Sequence, residues 1–329
     1  MNFTKKKLTL VILLVYHACA CAQKIPQAKI SNGIITAQIY LPDAEKGYYR
    51  GGRFDWAGVI PHLEFKGHTY YGKWFTEYDP FLHDAIMGPV EAYNPLGYSK
   101  EKSKKKEPFT KVGVGILEPL DTLPYLFSKP YKILDHGKWE TKADKDKIVF
   151  THTLSNGEYP YVYTKTIRLS GDNMIIDHTL TNKGSQLIDT HVFNHNFFII
   201  DDDSIGPGYV LKLGFNLNVN PSTLEPFAKL EGNDVVFVRP LVTPSDHPSL
   251  RVKGFSTTDA SEYDLRIENR NTEAGVHITA DKPISSMYFW TAPKSICPEP
   301  FIHVLVEPGK SFSWSIIYKH YTISKDDSK

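Results

Sequence analysis

The chain has 329 residues, and its 38 Lys and Arg stand against 37 Asp and Glu for a formal charge of +1. Such balance leaves no global field to draw in nucleic acid or an anionic membrane surface. Aromatic residues make up 13%, with 19 Tyr and 18 Phe, which fits a β-rich fold and also a surface able to stack on sugar rings.

At the N-terminus, Lys5, Lys6 and Lys7 precede the apolar run "LTLVILLVY" (8–16) and then "HACACAQ", in which Ala20 and Ala22 frame an A-x-A site. These are the three parts of a secretory signal peptide, and the apolar part falls short of the roughly 20 residues a membrane span needs. Residues 1–22 are therefore expected to be removed on export to a periplasmic or extracellular space, and no second stretch suggests a membrane span. Cys19 or Cys21 offers an alternative fate, a lipid anchor. Cleavage after Ala22 leaves Cys297 alone, so no internal disulfide is expected and the core must supply the stability.

Beyond residue 23 helical periodicity is scarce. Period-two or compact β-branched and aromatic runs recur instead: 33–41, 146–154, 159–169, 173–182, 187–201, 209–219, 234–242, 274–280, 284–292 and 310–321. Turns such as "SNGE", "SGDN", "NKGS", "EGND" and "EPGK" separate them. Many strands joined by short turns predict antiparallel sheet, and 23–329 is read as one all-β domain, a large antiparallel β-sandwich. The stretch from about Gly72 to Pro108 reads as a long irregular loop whose aromatic and Gly-Pro content argues for order and function. Its basic part, "SKEKSKKKEP" (99–108), reads as a solvated loop.

Four clusters carry candidate chemistry. In "YYRGGRFDWAGVIPHLEF" (48–65), Arg50 or Arg53 could meet a sugar hydroxyl; the plainer reading is a Gly-Gly turn followed by a strand that buries Phe54 and Trp56. In "FLHDAIMGPVEAY" (81–93), His83, Asp84 and Glu91 surround the Gly88-Pro89 turn, and loops held by a rigid sheet often carry site residues. In "THVFNHNFFIIDDD" (190–203), strand alternation puts His191, Phe193, His195 and Phe197 on one face, with Thr190, Val192, Asn194 and Asn196 on the other. His191 and His195 lie roughly 13 Å apart at about 3.3 Å per residue, too far to share a metal ion with bonds of about 2 Å. An imidazole between aromatic rings suits a sugar, though a core histidine bonded to backbone shares the pattern. In "CPEPF" (297–301), Pro298 and Pro300 fix the backbone around Glu299 and remove two N–H donors, which would hold the carboxylate partly out of water.

Taken in order, "NHNFF" (194–198) and "CPEPF" followed by "VEPGKSFSWSIIY" (306–318) resemble motifs of the galactose mutarotase-like superfamily, the aldose 1-epimerases and their relatives. The resemblance implies a β-supersandwich and acid–base opening of a sugar hemiacetal. It assigns His195 as the acid, Glu299 as the base and His83 as a second histidine, with Arg53, Asn194, Phe197, Glu91 and Trp290 as sugar contacts. The family's N-H-x-H-G surroundings are missing at His83, as are its N-R arginine and its sugar-binding aspartate, which marks a divergent branch; Arg53 would stand in for the arginine. The expected partner is a mono- or oligosaccharide. Mutarotation removes the C1 hydroxyl proton while protonating the ring oxygen, a task for a carboxylate near pKa 4.3 and an imidazole near 6.5. It needs no cofactor and no metal, and the chain contains no G-x-G-x-x-G, P-loop, H-E-x-x-H or G-x-S-x-G motif. Two other readings remain open. One is a non-catalytic carbohydrate-binding protein. The other is a polysaccharide lyase or glycoside hydrolase, with Glu91 and Glu299 as a retaining pair about 5 Å apart.

Overall fold

The structure, a computed structural model, describes residues 24–120 and 124–324. The expected signal peptide (1–22), Cys19 and Cys21 lie outside the described residues. Among the described residues no helix is long and apolar enough to cross a membrane.

Antiparallel sheets dominate, as the period-two pattern predicts. A ten-stranded sheet has the strands Ser311–Thr322, Asn173–Asn182 and Tyr161–Ser170 adjacent near its middle. A five-stranded sheet runs Leu250–Val252, Ser286–Ala292, Ser295–Val306, Ile188–Phe197 and Gly88–Tyr93. Smaller sheets contain Gln27–Ser31, Ile35–Tyr40 and Val59–Phe65, and Phe109–Lys111 with Gly115–Leu117. Tyr163, Leu180 and Trp314 of the large sheet and Val192, Ile302 and Val304 of the five-stranded sheet belong to one apolar core. This is the β-supersandwich expected from the sequence.

Two local expectations need correction. The stretch 72–108 is not irregular throughout: it contains the fully buried strand Gly88–Tyr93 and the short helix Lys100–Lys104. Gly88 has φ +91°, and a Cβ there would meet the backbone of Ile60 at 2.9 Å, so only glycine fits. Pro89 is tolerated because this strand is the edge of its sheet. After the Gly-Gly pair, residues 51–57 form no strand; Phe54 and Trp56 are buried from a loop, and the strand starts at Val59.

Between the sheets lies a buried charged cluster. Lys165 on the strand Tyr161–Ser170 bonds to Glu91, stands 3.8 Å from Asp55 and donates to the Ala57 carbonyl at 2.9 Å. His178 Nε2 lies 2.8 Å from Glu91 Oε1, and Asn194 Nδ2 donates to the same oxygen at 3.0 Å. Burial pushes the Glu91 carboxyl up, but Lys165 and His178 outweigh it and hold the group ionised; at Asp55 burial wins over Lys165 and the pKa rises.

His320 is buried against Tyr70, with ring centroids 4.5 Å apart, and neither ring nitrogen has a hydrogen-bond partner. Burial takes its pKa down to about 3. A folded pKa below the unfolded value of about 6.5 means stability intact above that pH and lost as pH falls toward the folded pKa. The drop in urea midpoint between pH 7 and pH 5 is therefore expected to be smaller in His320→Phe than in the parent. Equal drops would show that His320 does not carry the effect.

Candidate active site

The strands Ile188–Phe197 and Ser295–Val306 are paired from Ile188↔Val306 to Phe193↔Phe301, and pairing returns only at the single bridge Phe198↔Ile296. The cause is in the sequence. Along an antiparallel strand, backbone N–H groups point alternately to one neighbour and the other. Pairing to Ser286–Ala292 continues through Met287↔Pro300 and Phe289↔Pro298, so the two missing N–H groups are missing on the His195 side. Asn196 spans the break: its Nδ2 donates to the Pro298 carbonyl at 2.8 Å, and its Oδ1 accepts from Tyr318 OH at 2.9 Å. Glu299 thus sits inside a central strand of its sheet.

In this opened seam His195 and Glu299 project to the same face, with Nε2 3.2 Å from Oε1. They line a cavity of about 750 Å³ together with Arg53, Phe197, Trp290 and Lys111, a size that suits a small ligand. The His195 ring stacks on Phe197 with centroids 3.9 Å apart. Trp74 stacks on Phe197 at 5.0 Å and meets Trp290 edge-on at 5.4 Å. Arg53 pairs with Asp84, and its guanidinium lies 4.0 Å over the half-exposed ring of Phe127.

Electrostatics separates the pair. Burial, reinforced by Arg53, takes the His195 pKa well below its ordinary value. Burial raises Glu299 to about 8, against the opposing pull of Arg53. At neutral pH the pair therefore holds one proton, on the carboxyl, facing a neutral imidazole that can accept it. Burial also pushes Asp84 up, but hydrogen bonds and charge from His83 and Arg53 outweigh it and hold the carboxyl low.

The structure brings His195, Glu299, Arg53, Phe197 and Trp290 to one cavity and leaves three of the residues assigned by the resemblance, His83, Asn194 and Glu91, outside its lining, with Arg50 at a separate pocket. His83 stands beside Asp84, its Nε2 2.9 Å from Oδ2, with its ring 6.2 Å from that of Phe127. Asn194 and Glu91 are not in the cavity at all. They are paired across adjacent strands and turned into the inter-sheet cluster, on the face opposite His195 because side chains alternate. Glu91 and Glu299 therefore lie on opposite faces of the sheet and cannot act as a retaining-hydrolase pair. Trp74, Lys111, Tyr125, Arg251 and Tyr288 also line the cavity; sequence reading passed over them, since long-range topology and no local motif assembles them. His191 lies outside the lining, stacked on His303 at 4.7 Å.

No family model and no curated protein matches the sequence. Solved structures do match in fold. A provisionally assigned aldose 1-epimerase of Escherichia coli K12 gives a TM-score of 0.58 at 11% identity, covering 91% of this chain and all (100%) of that one. A GalM/aldose epimerase homologue of C. elegans gives 0.54 at 13% identity, covering 92% and 100%. A galactose mutarotase related enzyme of Lactobacillus acidophilus gives 0.55 at 11%, covering 91% and 98%. The chain has the galactose mutarotase-like fold.

Proposed function

We propose that the protein catalyses anomer interconversion of a sugar, with His195 and Glu299 as the acid–base pair. The single observation carrying this is the convergence of those two side chains, 3.2 Å apart, in an aromatic-walled cavity. The pair would pass one proton between them as the ring opens and closes. When the C1 hydroxyl gives its proton to one member, the other protonates the ring oxygen; rotation about C1–C2 and closure reverse both transfers. Trp290 and Phe197 offer apolar faces for the sugar's C–H surface. His83 would act through Asp84, orienting Arg53. The fold of the solved neighbours supports the reading.

The test is polarimetry on freshly dissolved α-D-galactose and α-D-glucose, paired with calorimetric binding. Accelerated decay of rotation is expected. Binding without acceleration would leave a carbohydrate-binding protein in place of an enzyme. Because the singly protonated pair is the working form, the catalysed rate is expected to fall above about pH 8 as Glu299 loses its proton, and to hold down to well below pH 6.5 because His195 resists a second proton. A rate that keeps climbing past pH 9, after subtracting the hydroxide-catalysed background, would contradict the assignment.

We also propose that the chain is exported, with cleavage after Ala22. N-terminal sequencing of the mature protein is expected to read from Gln23; acylation at Cys19 or Cys21 is the competing outcome and would show as a lipid mass.

A further inference from the structure

We propose that the sugar bound here carries an anionic substituent, a carboxylate, sulfate or phosphate, received by Lys111 inside the cavity with Arg251 at its open end. The inference rests on the reading of the cavity as a sugar site and names its substrate class.

The charges of the lining do not cancel. Arg53 is matched by Asp84. Glu299 is held protonated by burial, with a pKa raised to about 8, so it offers no negative charge at neutral pH. Lys111 is 2% exposed, and its Nζ donates to the Arg53 carbonyl at 2.7 Å and to Tyr125 OH at 2.9 Å. Both acceptors are neutral, and an ammonium has three N–H donors, so one remains. Among the described residues Lys111 forms no ion pair, and no carboxylate contributes to its shift: burial and the nearby Arg53 lower its pKa to about 7. With a pKa near 7 the amine is only partly protonated in the empty cavity, and an anion beside it would favour the charged form and its third N–H donor. Tying the Arg53 carbonyl to a phenol would need only a neutral amide, and a lysine there adds the capacity to meet an anion.

Arg251 extends the same surplus. It is exposed on the strand Leu250–Val252 and likewise forms no ion pair among the described residues. With Ser286 and Met287 it is shared between the cavity and an adjoining groove of about 290 Å³ that also carries Lys253 and no carboxylate in its lining. On a chain with a formal charge of only +1, this local excess of cations is not a by-product of composition. An anionic group bonded to Lys111 would supply the missing counter-charge through a charge-assisted hydrogen bond, and the groove leaves room for a further acidic unit of a glycan.

The experiment is calorimetry on the full-length protein with galactose, galacturonate, galactose 6-sulfate and galactose 6-phosphate, at about 20 mM and about 300 mM salt. At least one anionic sugar is expected to bind about tenfold more tightly than galactose, and the three arms identify which anion. Added salt should erode that preference and leave galactose unmoved. Lys111→Met is expected to cut the preference, read as the ratio of anionic-sugar to galactose affinity in the same variant, to below about threefold, and Arg251→Ser to lower that ratio as well. Equal binding of neutral and anionic sugars, or a preference that survives Lys111→Met, overturns the proposal. Should Lys111→Met not fold, the salt series and Arg251→Ser decide, and a null result in both overturns it. Selective anion binding without anomer acceleration would sink the catalytic reading and leave this one standing; accelerated galactose turnover with no anion preference does the reverse.

Discussion

Replacing Glu299 with Gln is expected to reduce the catalysed rate of anomer interconversion by about 10²–10⁴-fold, the range a positioned proton donor or acceptor supplies. Gln keeps the shape of the side chain and its contact with His195 but cannot take or release the proton. Sugar affinity should therefore stay within about threefold of the parent, so the loss appears in kcat and not in KM. Full activity in the variant would remove Glu299 from the mechanism. A stability signature accompanies the kinetic one. The folded pKa of Glu299, about 8, lies above an unfolded value of about 4.3, so its contribution to stability is complete below the unfolded value and is lost as pH rises through the folded one. The Gln variant has no such loss, and its urea midpoint relative to the parent is expected to climb between pH 5 and pH 9. A constant difference would mean that Glu299 ionises freely in the folded protein.

The second large effect belongs to the cluster on the other side of the same sheet. Lys165 is fully buried and is the only cation in contact, among the described residues, with both Glu91 and Asp55. Lys165→Met leaves two carboxyls buried without it, and His178 serves Glu91 alone. Removing one partner of a buried ion pair costs about 3–5 kcal/mol, a large share of the ~5–15 kcal/mol that keeps a domain folded. Urea unfolding at pH 7 should show that loss, and adding Glu91→Gln to the Lys165→Met background should return part of it by removing an orphaned charge. A single-variant loss below about 1 kcal/mol would mean that water or neighbouring groups already solvate the cluster.

Much of the frame was legible because half-buried strands write their period into the sequence. The run "THVFNHNFF" declared its two faces correctly: burial alternates over 188–194, and 194–197 are buried on both faces where the cavity and the inter-sheet cluster flank the strand. What residue type alone could not give was the destination of each face. Asn194 was taken as a sugar contact although its parity already set it opposite His195. Glu91 was harder to place: its strand is buried on both faces, so all six residues read as interior and the alternation that would orient it is erased. The pairing of His195 with Glu299 came from motif resemblance, and its physical basis, two prolines that cannot donate, was visible in "CPEPF". Lys111, Trp74 and Arg251 carry no local mark. They come from separate parts of the chain and share a wall only once the sheets have stacked.

The strand Ile188–Phe197 presents the cavity-lining imidazole on one side and a member of the buried charged cluster on the other, one position apart at His195 and Asn194. Inserting a single residue between Val192 and Asn194, or deleting Phe193, would exchange the two: the amide would swing to the cavity and the imidazole to the ion cluster. The His195–Glu299 contact and the charged cluster would be lost at once. Length variation between related chains should therefore be confined to the connecting loops, and this segment should keep a fixed residue count even where its individual side chains drift.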